Sequence, residues 1–308
     1  LWVHHMFAVG IPLLALAFFS AASMAVAIPT SIQVFAWIAT LWAGRPWLRL
    51  PMLHIFGFFF VFVLGGLTGV MLAFVPFDWQ VHDTHFVVAH LHYVIIGGLL
   101  FPLFAGLYYW LPLATGRMPS ESTSRTAFWL VFVGFNLTFL PMHWTGLRGM
   151  VRRIFTYPAD LGFDTLNLVS SVGAFVLASG ILVFVVDVLR PKGKQPISER
   201  NPWGAGTLEW LAEMPDKPWG TRSIPTITSR YPLWDQPNLV RDVDEGRFYG
   251  FPPYGIPGFK LEKHVVMRRN EQLEQAGVTF VLDCNVGEDI AFEEIRQKHD
   301  ATGVAQQD

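Results

Sequence analysis

His82-Asp83-Thr84-His85-Phe86-Val87-Val88-Ala89-His90-Leu91-His92-Tyr93 opens with polar residues and runs straight into residues 94–113, which carry no charged side chain. A run of this kind is long enough to cross a bilayer as a helix, which takes about 20 residues. Ionisable groups inside a bilayer are costly, so histidines placed there are functional candidates. Their spacing adds to this. On a helix of 3.6 residues per turn, positions i and i+2 lie about 200° apart. His90 and His92 therefore leave on nearly opposite faces and do not suit one shared metal. They suit a helix lying between two separate cofactors, each taking one imidazole. Two core histidines bonded to neighbouring helices are the plainer alternative.

The rest of the composition agrees with a membrane protein. Of the 308 residues, 52% are hydrophobic and only 15% charged, against about 25% charged in ordinary soluble domains. A net charge of -2 and the lack of a basic run give no sign of nucleic-acid binding. Cys284 is the single cysteine, which excludes a disulfide framework or a thiolate metal site within the chain. The sequence opens at Leu1 without a basic n-region, so no cleavable signal is expected and the chain reads as a piece of something longer.

Five apolar segments are expected to span the membrane, near 13–41, 51–75, 85–114, 125–145 and 163–189. Pro29 predicts a kink or tilt in the first. Loops over 42–50, 76–84, 115–124 and 146–162 join them, and short loops imply antiparallel neighbours in a bundle. The fold class is thus all-α membrane: an antiparallel bundle of about five transmembrane helices over residues 1–190. Arg45, Arg49, Arg117, Arg125, Arg190, Lys192 and Lys194 fall on one side, which the positive-inside rule makes cytoplasmic. Arg148, Arg152 and Arg153 break that rule by lying on the outer side. A bound anion explains them, since arginine takes carboxylates bidentately; a solvated loop is the alternative.

Residues 191–249 are rich in Pro, Trp, Gly and charge and predict an irregular cytoplasmic tail. Residues 250–308 predict a small α/β fragment: a helix over 259–277, a strand over 278–282 and a helix over 290–298. That fragment is too small for a core of its own.

Other polar groups cluster on the outer half. Adjacent His4 and His5 can reach one metal if their backbone is not a regular helix, and imidazoles suit Cu, Zn, Fe or Ni. His82 with Asp83 suits a hard ion, Mg²⁺ or Mn²⁺. Ser20, Ser23, Thr30 and Gln33 share a face of the first helix. They line a water chain or make ordinary interhelical bonds.

The motifs His-His-Met-Phe (4–7), Ala-Ile-Pro-Thr (27–30), His82-Asp83-Thr84, Val88-Ala89-His90-Leu91-His92-Tyr93 and Arg152-Arg153 stand in an order that resembles subunit I of the haem–copper oxidases, cytochrome c oxidase above all. The resemblance covers about residues 1–249. It implies an enzyme that reduces O₂ to water with electrons from cytochrome c, coupled to proton movement. It implies His4 and His5 as ligands of the copper called CuB, His90 as the axial ligand of a high-spin haem and His92 as one ligand of a low-spin haem. His82 and Asp83 match the magnesium or manganese ligands, and Arg152 and Arg153 the pair beside the haem propionates. His-Asp at the magnesium position favours a cytochrome c oxidase over a quinol oxidase. Two haems, haem a by expectation, a copper and a magnesium or manganese ion follow as cofactors. Subunits II and III, the N-terminal half of subunit I and cytochrome c follow as partners, in a bacterial-type inner membrane.

The third CuB histidine, its cross-linked tyrosine and the second low-spin ligand are expected on helices upstream of Leu1. Gln33 stands where the family commonly has the lysine of a proton pathway, which puts a Thr30–Gln33 route in question. Tyr254–Lys263 and Asn285–Asp289 resemble the small subunit of glutamate synthase, without that family's glycine-rich nucleotide motifs, so a chimeric C-terminus is expected. The rival from another class is a metal-transporting or assembly membrane protein without haem.

Overall fold

Backbone polar groups in a bilayer must be satisfied within the chain, so apolar runs of this length fold as helices. The computed structural model describes residues 2–44, 46–189, 200–212, 223–244, 249–250, 263–277, 291 and 294. Among them, five helical stretches are long and apolar enough to cross a membrane. The described residues divide into two compact units after Pro202.

The first unit opens with a 3-10 turn at Trp2–His5, followed by α1 (Leu13–Ala25) and α2 (Ala27–Gly44). Pro29 has no N–H for the Ala25 carbonyl, and the first span breaks next to that carbonyl, at Val26, three residues before the proline. Next come α3 (Leu50–Ala73), a short α4 (Val75–Val81) and α5 (His85–Ile95). The loop expected over 76–84 is thus largely a helix, begun by Pro76 in its first turn. The third span continues through a π-helical turn at Ile96–Leu100 into α6 (Phe101–Thr115). Pro102 removes the donor for the Gly98 carbonyl, and Gly97 and Gly98 let the wider turn form. The last spans are α7 (Glu121–Leu147) and α8 (Asp164–Leu189).

Small residues set the closest contact. A Cβ at Gly173 would lie 2.5 Å from the Thr138 nitrogen and one at Gly180 2.6 Å from the Val131 nitrogen, so α7 and α8 meet backbone to backbone. An aromatic core built from Phe58, Tyr93, Phe101, Phe128 and Phe135 ties α3, α5, α6 and α7 together. Below it Asp187 of α8 is buried and accepts hydrogen bonds from Ser124 (2.6 Å) and Tyr108 (3.3 Å).

In the second unit the elements are short: a 3-10 turn at Leu208–Leu211, α9 (Pro232–Asp235), α10 (Leu239–Asp244), α11 (Lys263–Gln275), and β1 (Ser223–Ile224) antiparallel to β2 (Tyr249–Gly250). The expected strand over 278–282 and helix over 290–298 lie outside the continuously described residues, as does most of the stretch resembling glutamate synthase.

Candidate haem and metal site

The N-terminus of α5 is fixed by the Asp83-Thr84 pair. Thr84 Oγ1 accepts from the Phe86 N–H (3.2 Å) and donates to the Val81 carbonyl (2.7 Å), capping the helix. The loop after α7 pairs alongside: Thr84 bridges to Val151, the His85 N–H donates to Met150 (2.9 Å) and the Arg152 N–H to Asp83 (2.8 Å). Asp83 and Arg153 both hold left-handed backbone conformations, φ 57° and 66°. Strain of this kind persists where surrounding contacts over-determine it. The same junction pairs the Arg152 guanidinium with the Asp83 carboxylate.

Five residues further on, about 8 Å along the helix, His90 packs against α3. Its Nδ1 lies 3.0 Å from the Gly65 carbonyl and 3.0 Å from Thr68 Oγ1. A carbonyl only accepts, so Nδ1 carries the hydrogen and Nε2 keeps its lone pair. A Cβ on Gly69 would come within 2.9 Å of the ring, so glycine there makes room for the imidazole. His92 leaves the other face. It stacks on Phe139 of α7, ring centroids 4.1 Å apart and 15° off parallel. Its Nδ1 donates to the Val88 carbonyl (2.7 Å), which leaves Nε2 without a partner among the described residues. The two histidines thus lie against different helices, and each Nε2 is unpartnered among the described residues.

His4 and His5 sit side by side on the 3-10 turn, centroids 4.0 Å apart. Burial, and then the neighbouring His5, lowers the pKa of His4 and favours its neutral form. The turn is pinned to α4, where the Trp79 indole N–H donates to the Phe7 carbonyl (2.9 Å). That contact sets the turn at the same end of the bundle as α4 and the start of α5. His4, His5, His90 and the α5 entrance therefore occupy one end of the bundle.

His82 and Asp83 each engage a different protein partner. His82 Nδ1 bonds Asp78 Oδ2 at 2.9 Å, while Asp83 is engaged by Arg152. Burial raises the Asp78 carboxyl, and His82 partly offsets that. Among the described residues no three His, Cys, Asp or Glu side chains converge as a set that could hold one metal ion. The polar stripe is split by the break at Val26. Ser20 reaches across to the Ala73 carbonyl (2.7 Å), Ser23 bonds the Phe19 carbonyl of its own helix, Thr30 bonds the Val26 carbonyl at the break, and Gln33 is exposed.

Several participants escaped the sequence pattern. Asp78 stands four residues before His82, a helical spacing hidden by taking that stretch as a loop. Thr68, Gly69 and Phe139 carry no signal of their own until the helices are packed. His143, buried between Phe86 and Tyr93, has an Nε2 with no partner among the described residues, and so has the buried Nε of Arg152.

The family model for cytochrome c and quinol oxidase polypeptide I matches residues 1–176. Cytochrome c oxidase subunit 1 of Synechocystis sp. is 51% identical over 214 residues, covering 70% of this chain and 38% of the relative. Its counterpart in Bacillus subtilis is 44% identical over 234 residues, covering 76% of this chain and 38% of the relative. The chain thus spans well under half the length of these relatives. A solved haem–copper terminal oxidase dimer superposes with a TM-score of 0.56 at 20% identity, over 63% of this chain and 40% of that one, a likeness of fold.

Proposed function

Because this chain belongs to the family of cytochrome c and quinol oxidase polypeptide I, we propose that it is the C-terminal part of the catalytic subunit of a haem–copper terminal oxidase. The complete enzyme would reduce O₂ to water with electrons from cytochrome c, and protons would cross the membrane as it does so. Haem and copper, when bound, supply the electron transfer and the O₂ chemistry. His90 would hold the iron of the high-spin haem and His92 the iron of the low-spin haem. His4 and His5 would hold the copper, with a further imidazole from the rest of the subunit.

The observation that carries this is the pair of Nδ1–H bonds to carbonyls, His90 to Gly65 and His92 to Val88. Such a bond fixes the tautomer and raises the basicity of the free Nε2, as metal-ligating histidines require. The Gly69 cradle and the Phe139 stack then hold each ring in place. Arg152 and Arg153 would neutralise haem propionates, and the unpartnered buried Nε of Arg152 suits an anionic acceptor. For a magnesium or manganese ion the fit is narrower. With His82 Nδ1 held by Asp78 and Asp83 by Arg152, the free donors are His82 Nε2 and the second oxygen of Asp83.

The chain's partners would be oxidase subunits II and III, the preceding half of subunit I and cytochrome c, in the inner membrane of a bacterial-type cell with the tail cytoplasmic. Haem a is the proposed haem type. Membranes carrying the whole protein test this directly. They should show two haem signals in reduced-minus-oxidised spectra and consume oxygen with reduced cytochrome c as donor. Oxygen uptake with quinol alone would move the protein to the quinol-oxidising branch. Membranes without haem absorbance would favour a metal-transporting or assembly role.

A further inference from the structure

Arg148 is the basic residue of the outer loop that neither the haem propionates nor Asp83 accounts for. It caps the C-terminal end of α7, and Nη1 donates to the Gly162 carbonyl (3.0 Å). That bond holds the guanidinium at the mouth of a cavity of about 630 Å³ lined by Phe60, Phe132, Asn136, Leu140, Trp144 and further apolar residues of α7. The groove follows one face of α7 from Phe132 to Trp144. Twelve residues of helix rise about 18 Å, close to the roughly 15 Å depth of one leaflet's hydrocarbon. Asn136, the amide midway along, has its polar groups turned to protein: it accepts from the Tyr93 hydroxyl (2.8 Å) and donates to the Phe132 carbonyl (2.8 Å). The groove is therefore apolar along its length and cationic at its end.

We propose that this groove binds a phospholipid, an acyl chain lying along α7 from Phe132 to Trp144 and the phosphate held by Arg148. The phosphate accounts for an arginine that defies the positive-inside bias. Trp144 lies one turn deeper, at the level where indoles favour the interface. A transmembrane helix laid in the same groove would offer apolar side chains and no acceptor for the guanidinium. A phosphate meets it with charge-assisted, bidentate hydrogen bonds through the nitrogens that Gly162 does not use. Nothing in this site depends on the redox chemistry.

The complete oxidase complex, purified in detergent, would be incubated with phosphatidylglycerol carrying a photoactivatable diazirine in one acyl chain, and with a diacylglycerol carrying the same group. Peptide mapping should place the phosphatidylglycerol label within residues 132–144, with the diacylglycerol labelling weakly. Arg148→Gln should lower that labelling about five- to tenfold. Leu137→Trp, which fills the groove and keeps the charge, should lower it as far. Unchanged haem spectra in both variants would show that the bundle is intact. Equal labelling by both probes, labelling unaffected by either variant, or no label in this segment would overturn the site.

Discussion

Arg152 and Asp83 form an ion pair across the junction where the loop after α7 docks on the N-terminus of α5. Half of the Asp83 side chain is open to its surroundings, so the pair itself contributes under about 1 kcal/mol. Its role is positional and electrostatic. Asp83→Asn keeps a residue tolerant of the left-handed backbone and removes the charge. The melting temperature of the complex should barely move. If Arg152 faces haem propionates, losing the carboxylate should raise the haem potential, on the order of tens of millivolts. Redox titration reads this, and an unmoved potential would place Arg152 away from the redox groups.

Gly69 is predicted to be intolerant of even one methyl group. A Cβ there meets the His90 ring at 2.9 Å, and overpacking of this kind costs roughly 1–3 kcal/mol. Gly69→Ala should therefore perturb the high-spin haem signal and leave the low-spin signal intact. Equal loss of both would point to general misfolding.

Ser124→Ala should weaken the bundle at its other end. It removes the 2.6 Å bond to buried Asp187, and leaving a buried acceptor short of a donor costs about 1–3 kcal/mol. Tyr108→Phe removes a longer contact of 3.3 Å and should cost less. Thermal unfolding of the solubilised complex checks the order; a larger loss from Tyr108→Phe would show that the tyrosine holds the carboxylate.

Thr30, one turn before Gln33 on α2, spends its hydroxyl on the Val26 carbonyl (3.1 Å). An amide has no titration near neutral pH and can only orient water. Gln33→Leu and Gln33→Lys should both leave proton uptake unchanged in the complete enzyme. A gain with lysine and a loss with leucine would put this position on a water-mediated path.

The spans were legible because apolar length and loop charge act locally, and so was the opposite-face placement of His90 and His92, a matter of helical phase. Features that depend on missing backbone donors were harder to place. Pro29 announced a bend whose position, Val26, follows from which carbonyl loses its partner. Pro102 with Gly97 and Gly98 gave a π-turn that no apolar pattern marks. Pro76 concealed α4, and with it the pairing of His82 with Asp78. Thr68, Gly69 and Phe139 became visible only when α3, α5 and α7 came together, since cradling is a tertiary property.

The most direct test is to substitute His90 and His92 separately in the complete enzyme and record the visible spectrum of each variant. Each imidazole presents its own Nε2 to a different side of α5, so the two losses should be separable. His92→Ala should remove the low-spin haem signal and spare the high-spin one, and His90→Ala should do the reverse. Spectra unchanged by both substitutions, or one signal lost in both, would contradict two cofactors ligated from opposite faces of one helix.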